Sequence, residues 1–165
     1  MTTEKTTLRE ASRIELISLV DNSVDFNSSS NKNFVQTFRQ WVTPTVSFDL
    51  PIAENGFSVL IKVFIDDKIY RVLFDTGVSS DGVVINAKRM NLDLSELDYV
   101  VLSHGHYDHF GGLLSVLKNI KKPKIPLITH GDMFNPRGTA NNRGEIRKHP
   151  HFPKIDHLDS VDIIN

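Results

Sequence analysis

Tyr99-Val100-Val101-Leu102-Ser103-His104-Gly105-His106-Tyr107-Asp108-His109-Phe110-Gly111-Gly112 is the stretch whose reading decides the fold. Its first four residues form a short apolar run of buried-strand type, and that run delivers the chain directly into four potential metal donors. In extended or loop backbone His104 and His106 project to the same side, while Asp108 and His109 come round next, so the donors converge within one segment. Packing gives no reason for such convergence. Imidazole nitrogens and a carboxylate are the ligands that borderline cations such as zinc prefer, and one such loop can serve a pair of sites. His104, His106, Asp108 and His109 are therefore the candidate metal ligands, with Asp108 also the candidate catalytic residue. Gly105 suits tight curvature between the two histidines, and Gly111-Gly112 lets the next helix start close by. The competing reading is a polar surface loop with accidental histidines; the strand before it and the helix after it supply the context a metal loop requires.

Working outward, Ile14 to Val20 reads as a strand with Asp21-Asn22 at its exit, and Ser23 to Asn33, rich in Ser and Asn, reads as a mobile flap. Phe57, Val59, Ile61, Val63 and Ile65 share one face of a second strand. Asp66-Asp67-Lys68 makes a turn, and Ile69 to Phe74 returns as the hairpin partner. Asp75-Thr76-Gly77 ends that strand, and Val83 to Met90 carries a helical pattern. Leu113, Leu114, Val116 and Leu117 give the helix after the histidine loop one buried stripe. Ile125 to Thr129 is a further strand ending at His130, and Asn135 to Pro153, broken by proline and glycine, is an extended surface segment. Strands alternating with helices give an α/β layered fold. Residues 1–13 are expected to be a flexible tail and 14–165 one domain.

Composition narrows the chemistry. The chain has 165 residues, 39% hydrophobic and 24% charged, as in a soluble globular protein. No apolar run reaches the roughly 20 residues of a membrane span, and the polar N-terminus lacks the apolar core of a signal peptide, so a cytoplasmic location without membrane contact is expected. A net charge of -1 leaves no basic footprint for nucleic acid, and the one basic run, Lys118 to Lys124, reads as a solvated helix end and loop. With no cysteine, disulfides, thiolate catalysis and Cys-based zinc sites are excluded, and any metal must rest on His and carboxylates.

Asp75-Thr76-Gly77 followed in order and spacing by the His104–Gly112 motif resembles the metallo-β-lactamase superfamily. The resemblance implies an αβ/βα sandwich and two divalent metals, zinc or another. By that resemblance the first metal takes His104 and His106, the second takes Asp108 and His109, and Asp75 buttresses the loop from outside the ligand set. Read without the family, Asp75 is a turn-forming carboxylate. Leu19-Val20-Asp21-Asn22, Ala53 to Ser58 and Ile128 to Phe134 are similar to the branch related to the dihydropterin-ribofuranosylaminobenzene phosphate synthase of methanopterin biosynthesis, although that branch carries a His where Asn55 stands. From it come Asp21, Asn22, His130 and Arg137 as candidate substrate contacts. Arg137 and Arg143 read equally as solvated arginines, and His130, His149, His151 and His157 as surface histidines at positions that match no family ligand.

The resemblance implies a hydrolase using a metal-activated water. Its pterin branch implies instead a transferase joining a dihydropterin diphosphate to an aminobenzene ribofuranosyl phosphate. The substrate is thus a small molecule, phosphorylated or pterin-like in the second case. The last residues, Ser160 to Asn165, look like the start of a strand with no closing helix, so the chain is expected to be the N-terminal portion of the domain. A third reading follows, an inactive half-domain whose uncovered sheet edge favours a homodimer.

Overall fold

Two consecutive runs dense in Val, Ile, Phe and Tyr fold back on each other as an antiparallel hairpin, and Asp66 turns the chain between them at φ 51°. The full order is β1 (Arg13–Val20), α1 (Phe38–Trp41), β2 (Ser58–Ile65), β3 (Lys68–Phe74), α2 (Gly82–Arg89), β4 (Tyr99–Val101), α3 (Tyr107–Phe110), α4 (Leu113–Asn119), β5 (Ile125–Ile128), a 3-10 turn (Gly131–Phe134), β6 (Gly138–Ala140), β7 (Ile146–Lys148) and β8 (Val161–Ile164). The computed structural model describes residues 8–41, 49–154 and 157–165.

Six strands make one mixed sheet in the order β1-β2-β3-β4-β5-β8. The three at the start are antiparallel, and β4, β5 and β8 run parallel to β3. Parallel neighbours need crossovers, and α2 and α4 supply two of them, packed against each other. Leu60, Leu73, Val100 and Leu127 stand in register across four strands at 0–1% exposure. Val83 and Ala87 of α2, with Leu113, Val116 and Leu117 of α4, complete the core with them. Asn86, also buried, donates from Nδ2 to the carbonyls of Leu19 and Ile52 and accepts from the Ile52 amide, tying the approach to β2 onto α2.

The apolar stripe Phe57, Val59, Ile61, Val63, Ile65 lies on the other face of the sheet. The fully buried positions of β2 are Ser58 and Leu60, one residue out of phase. Leu16, Ile61, Val72 and Tyr99 share the outer face in register, and none of them belongs to the buried core. The fold is thus mixed α/β, as expected.

Three sequence expectations need restating. Residues 1–7 of the expected tail lie outside the described residues, whereas Ser12 and Arg9 bond to Phe64 and Tyr70 of the hairpin. The Ser23–Asn33 segment is irregular, and Gln40 stitches it by bonding Ser30 and Thr37. Asn135–Pro153 is more ordered than its composition suggested. It holds the β6–β7 ribbon, Gly138 opposite Lys148, and its end inserts Phe152 at 8% exposure, edge-on to Phe110 and Phe134.

Leu73→Ala should cost about 2–5 kcal/mol in denaturant unfolding, as buried leucine truncations do. Leu16→Ala, at a position 69% exposed, should change stability by no more than about 0.5 kcal/mol. Equal losses would place the core on the wrong face.

Candidate metal centre

The site forms where three parallel strands end, the side of an open α/β sheet on which ligands bind. β3 runs into Asp75 and β4 into Ser103, with the Asp75 amide donating to the Val101 carbonyl at 2.9 Å. Asp75 adopts φ 57°, a left-handed conformation that Asp tolerates and β-branched residues do not. That turn aims its carboxylate, 1% exposed, at the histidine loop. Oδ1 accepts the Ser103 amide at 2.7 Å, while Oδ2 accepts the Ser103 hydroxyl at 2.7 Å and His109 Nδ1 at 2.7 Å.

Thr76 and Gly77 clamp the same loop through the backbone. The Thr76 amide donates to the His109 carbonyl at 2.7 Å, and Gly111 and Gly112 donate to Gly77 and Thr76 at 2.9 and 3.1 Å. Gly111 is required by this approach, because a Cβ there would collide with the carbonyl of Val78. The sequence suggested a continuous loop as far as Gly111-Gly112; the structure turns Tyr107–Phe110 into a short helix instead, which swings Asp108 and His109 inward.

The hydrogen bonds decide which ring nitrogens are free. With its proton on Nδ1 facing Asp75, His109 carries its lone pair on Nε2, 3.7 Å from Asp108 Oδ2. Ser103 Oγ, having donated to Asp75, accepts from His104 Nδ1 at 2.9 Å, which leaves His104 Nε2 as a lone pair. That nitrogen lies 3.1 Å from His106 Nδ1. Two nitrogens bound to one tetrahedral zinc at roughly 2.0–2.1 Å stand about 3.3 Å apart, so the pair fits one cation with little movement. Burial, then neighbouring His109 and His106, hold His104 below the ordinary imidazole range, which favours the neutral, metal-binding form. Among the described residues no three His, Asp or Glu side chains already close around a common point. The His104 ring lies 4.6 Å from that of His106 and 4.0 Å from that of His109, centroid to centroid, so the three imidazoles and Asp108 gather at one end of the loop.

The other expected site residues lie around this loop. Asn22 Oδ1 accepts the Gly56 amide, and Gly56 packs against the backbone of Asp108, so Asn22 borders the site while Asp21 caps the Asn22 amide. His130 is exposed, and its Nδ1 accepts from the Asp132 amide at the start of the 3-10 turn. Arg137 donates to the carbonyls of Asp132, Met133 and Asn135, and its guanidinium fills the space beside Gly105. Two residues escaped sequence reasoning: Ser103, the relay between Asp75 and His104, and Glu54, which accepts from Val78 and from the amide and hydroxyl of Ser79. Their signal was adjacency, Ser103 to His104 and Glu54 to the Gly56 turn.

A family model described as Metallo-beta-lactamase superfamily matches residues 53–163. The chain is similar to the 7,8-dihydropterin-6-methyl-4-(beta-D-ribofuranosyl)-aminobenzene-5'-phosphate synthase of Methanocaldococcus jannaschii, 37% identical over 82 residues covering 50% of this chain and 28% of that protein. An uncharacterized protein of the same organism is 41% identical over 90 residues, 54% of this chain and 32% of its own. The probable metallo-hydrolase YflN of Bacillus subtilis is 31% identical over 92 residues, 50% and 35% respectively. The chain thus spans about a third of the length of these curated relatives. Among solved structures, the Rm3 metallo-beta-lactamase superposes with a TM-score of 0.44 at 18% identity over 70% of this chain and 41% of that one.

Asp75→Ala should weaken divalent-metal affinity about 10–100-fold in a chelator competition, the scale on which partners of metal-bound histidines act. Unchanged affinity would mean that the Asp75 hydrogen bonds do not orient the donors.

Proposed function

Because the chain belongs to the metallo-beta-lactamase superfamily, we propose that it acts as a metal-dependent hydrolase of small molecules. The observation that carries this reading is the network centred on Asp75, which leaves His104 Nε2 and His109 Nε2 as lone pairs, the first facing His106 and the second the Asp108 carboxylate. His104 and His106 would hold one cation and Asp108 with His109 a second. Bound divalent metal would supply Lewis acidity and lower the pKa of a coordinated water towards neutrality.

The chain's own residues do the rest. The Asp108 carboxylate lies next to the donors and is 29% exposed at the side chain, which suits it to orient an attacking water and accept its proton. A cleft of about 710 Å³, bordered by Tyr107, Thr139, Asn141, Glu145, Arg147 and His149, opens beside the loop and has the size of small-molecule sites. Arg147 there favours a substrate with anionic groups. Asn22 borders the same loop from the opposite strand end.

A second reading, favoured by the 37% identity to the pterin synthase, is transfer with loss of pyrophosphate from a dihydropterin diphosphate. Arg147 and the metal ligands would then bind the diphosphate.

Metal-stripped protein should fail to hydrolyse a panel of p-nitrophenyl esters and bis(p-nitrophenyl) phosphate, and zinc or manganese should restore the activity. Asp108→Asn should lower kcat by about 100-fold or more. Hydrolysis that survives chelation would contradict the proposal, and pyrophosphate release without hydrolysis would favour the transferase.

A further inference from the structure

The helices cover one face of the six-stranded sheet, and the open face is the more apolar of the two. On β2 the side on which α2 and α4 pack mixes Leu60 and Phe64 with Ser58 and Lys62, whereas the opposite side, Val59, Ile61, Val63 and Ile65, is apolar throughout. The register carries that side across the sheet. Ile61 lies beside Val72 and Val72 beside Tyr99; Val59 lies beside Phe74 and Phe74 beside Val101. None of these residues is buried, and on the two outermost strands of the same face Leu16 is 69% and Ile164 48% exposed.

A sheet that is hydrophobic on a face must bury that face against another layer. Strands spaced about 4.8 Å apart, each rising about 3.3 Å per residue, give the six strands together a face of roughly 500 Å² in projection. A contiguous apolar patch of more than a few hundred Å² on one chain marks an interaction site. Side chains standing off the plane raise its accessible area towards the about 800 Å² per partner of a standard specific interface. The face is thus large enough to hold a stable partner.

Its charge pattern points to a second copy of this chain. In a two-fold contact the same patch meets itself, so a charge near the axis would oppose its own like. Among the described residues, the charged strand positions on this side are Lys68 and Asp162, and both stand at the margin: Lys68 beside Ile65 at the hairpin turn, Asp162 on β8 and ion-paired with Lys124 at 3.2 Å. The middle of the face carries none. We propose that the chain forms a homodimer through this face, the two sheets packed about 10 Å apart with strand directions within about 30° of each other and the helices of both copies outermost. Val72 and Tyr99, on the middle strands β3 and β4, are the centre of the contact. Leu16, on edge strand β1, lies at its rim, where truncation costs little. The contact uses neither the metal loop nor the strand edges, so it stands or falls independently of the hydrolase reading.

The test is the mass of the full chain in solution, read by light scattering and by sedimentation equilibrium over a wide concentration range. Wild type should reach twice 18.7 kDa. Val72→Lys should raise the dimer dissociation constant at least about 100-fold, because it places two unpaired ammonium groups in a desolvated contact. Ile146→Lys, at an exposed apolar position on the β6–β7 ribbon, should leave the dimer intact. Because Val72→Lys could disturb the sheet itself, Val72→Cys is labelled with a maleimide in this otherwise cysteine-free chain. Its reaction should be at least about tenfold slower in the dimer than after dilution to monomer, with Ile146→Cys labelled equally fast in both. A monomer at every concentration, a dimer that Val72→Lys leaves unchanged, or Val72→Cys labelling independent of concentration overturns the inference. Open-ended assemblies larger than a dimer overturn it as well, since they are the product of free strand edges rather than of a closed two-fold face.

Discussion

The buried carboxylate of Asp75 is the interaction on which the site depends. At 1% exposure, an unpartnered carboxylate would cost several kcal/mol, and its position is tenable because three short hydrogen bonds, from the Ser103 amide, the Ser103 hydroxyl and His109, meet it. Those bonds act beyond stability. One fixes the ring orientation of His109 directly, and another does so for His104 through Ser103. A single side chain therefore sets the donor nitrogens of both candidate metal positions.

That role is available only because of the sheet. β3 and β4 lie side by side in parallel, so the residues following them, Asp75 and Ser103, arrive together at one edge. The left-handed turn at Asp75, with a strain of roughly 1–2 kcal/mol, redirects the side chain into the loop. The turn is held from two sides, by the Val101 carbonyl on its amide and by Ser58 Oγ donating to its carbonyl. The glycines at 111 and 112 let the loop helix press against the 76–78 backbone, and that contact carries the rigidity of the core, through Leu113 and Val116, to His109.

Much of this was legible in the sequence. The hairpin, the parallel strands at Tyr99 and Ile125, the helices on either side and the four donors of the loop each carried a periodicity or a spacing. What was not legible has physical reasons. The stripe from Phe57 to Ile65 alternates faithfully, yet the opposite face mixes Leu60 and Phe64 with Ser58 and Lys62, and it is this mixed face, at Ser58 and Leu60, that is fully buried, so alternation alone pointed to the wrong side. The β6–β7 ribbon consists of two three-residue strands exposed throughout, too short and too polar for a pattern. Arg137 looked like a solvated arginine because capping three carbonyls and filling the space beside Gly105 leave no trace in composition. Which nitrogen of His104 and of His109 is free follows from Asp75 and Ser103, and only their spatial meeting reveals it.

The measurement that tests the central claim most directly is X-ray absorption at the metal edge of the zinc-loaded chain. The account requires imidazole scattering from at least two rings, with zinc–nitrogen distances of about 2.0–2.1 Å and loss of that scattering when His104 and His106 are both replaced by alanine. A spectrum with oxygen neighbours alone, free of imidazole outer-shell features, would mean that the histidine loop does not hold metal and that Asp75 organises it for another purpose.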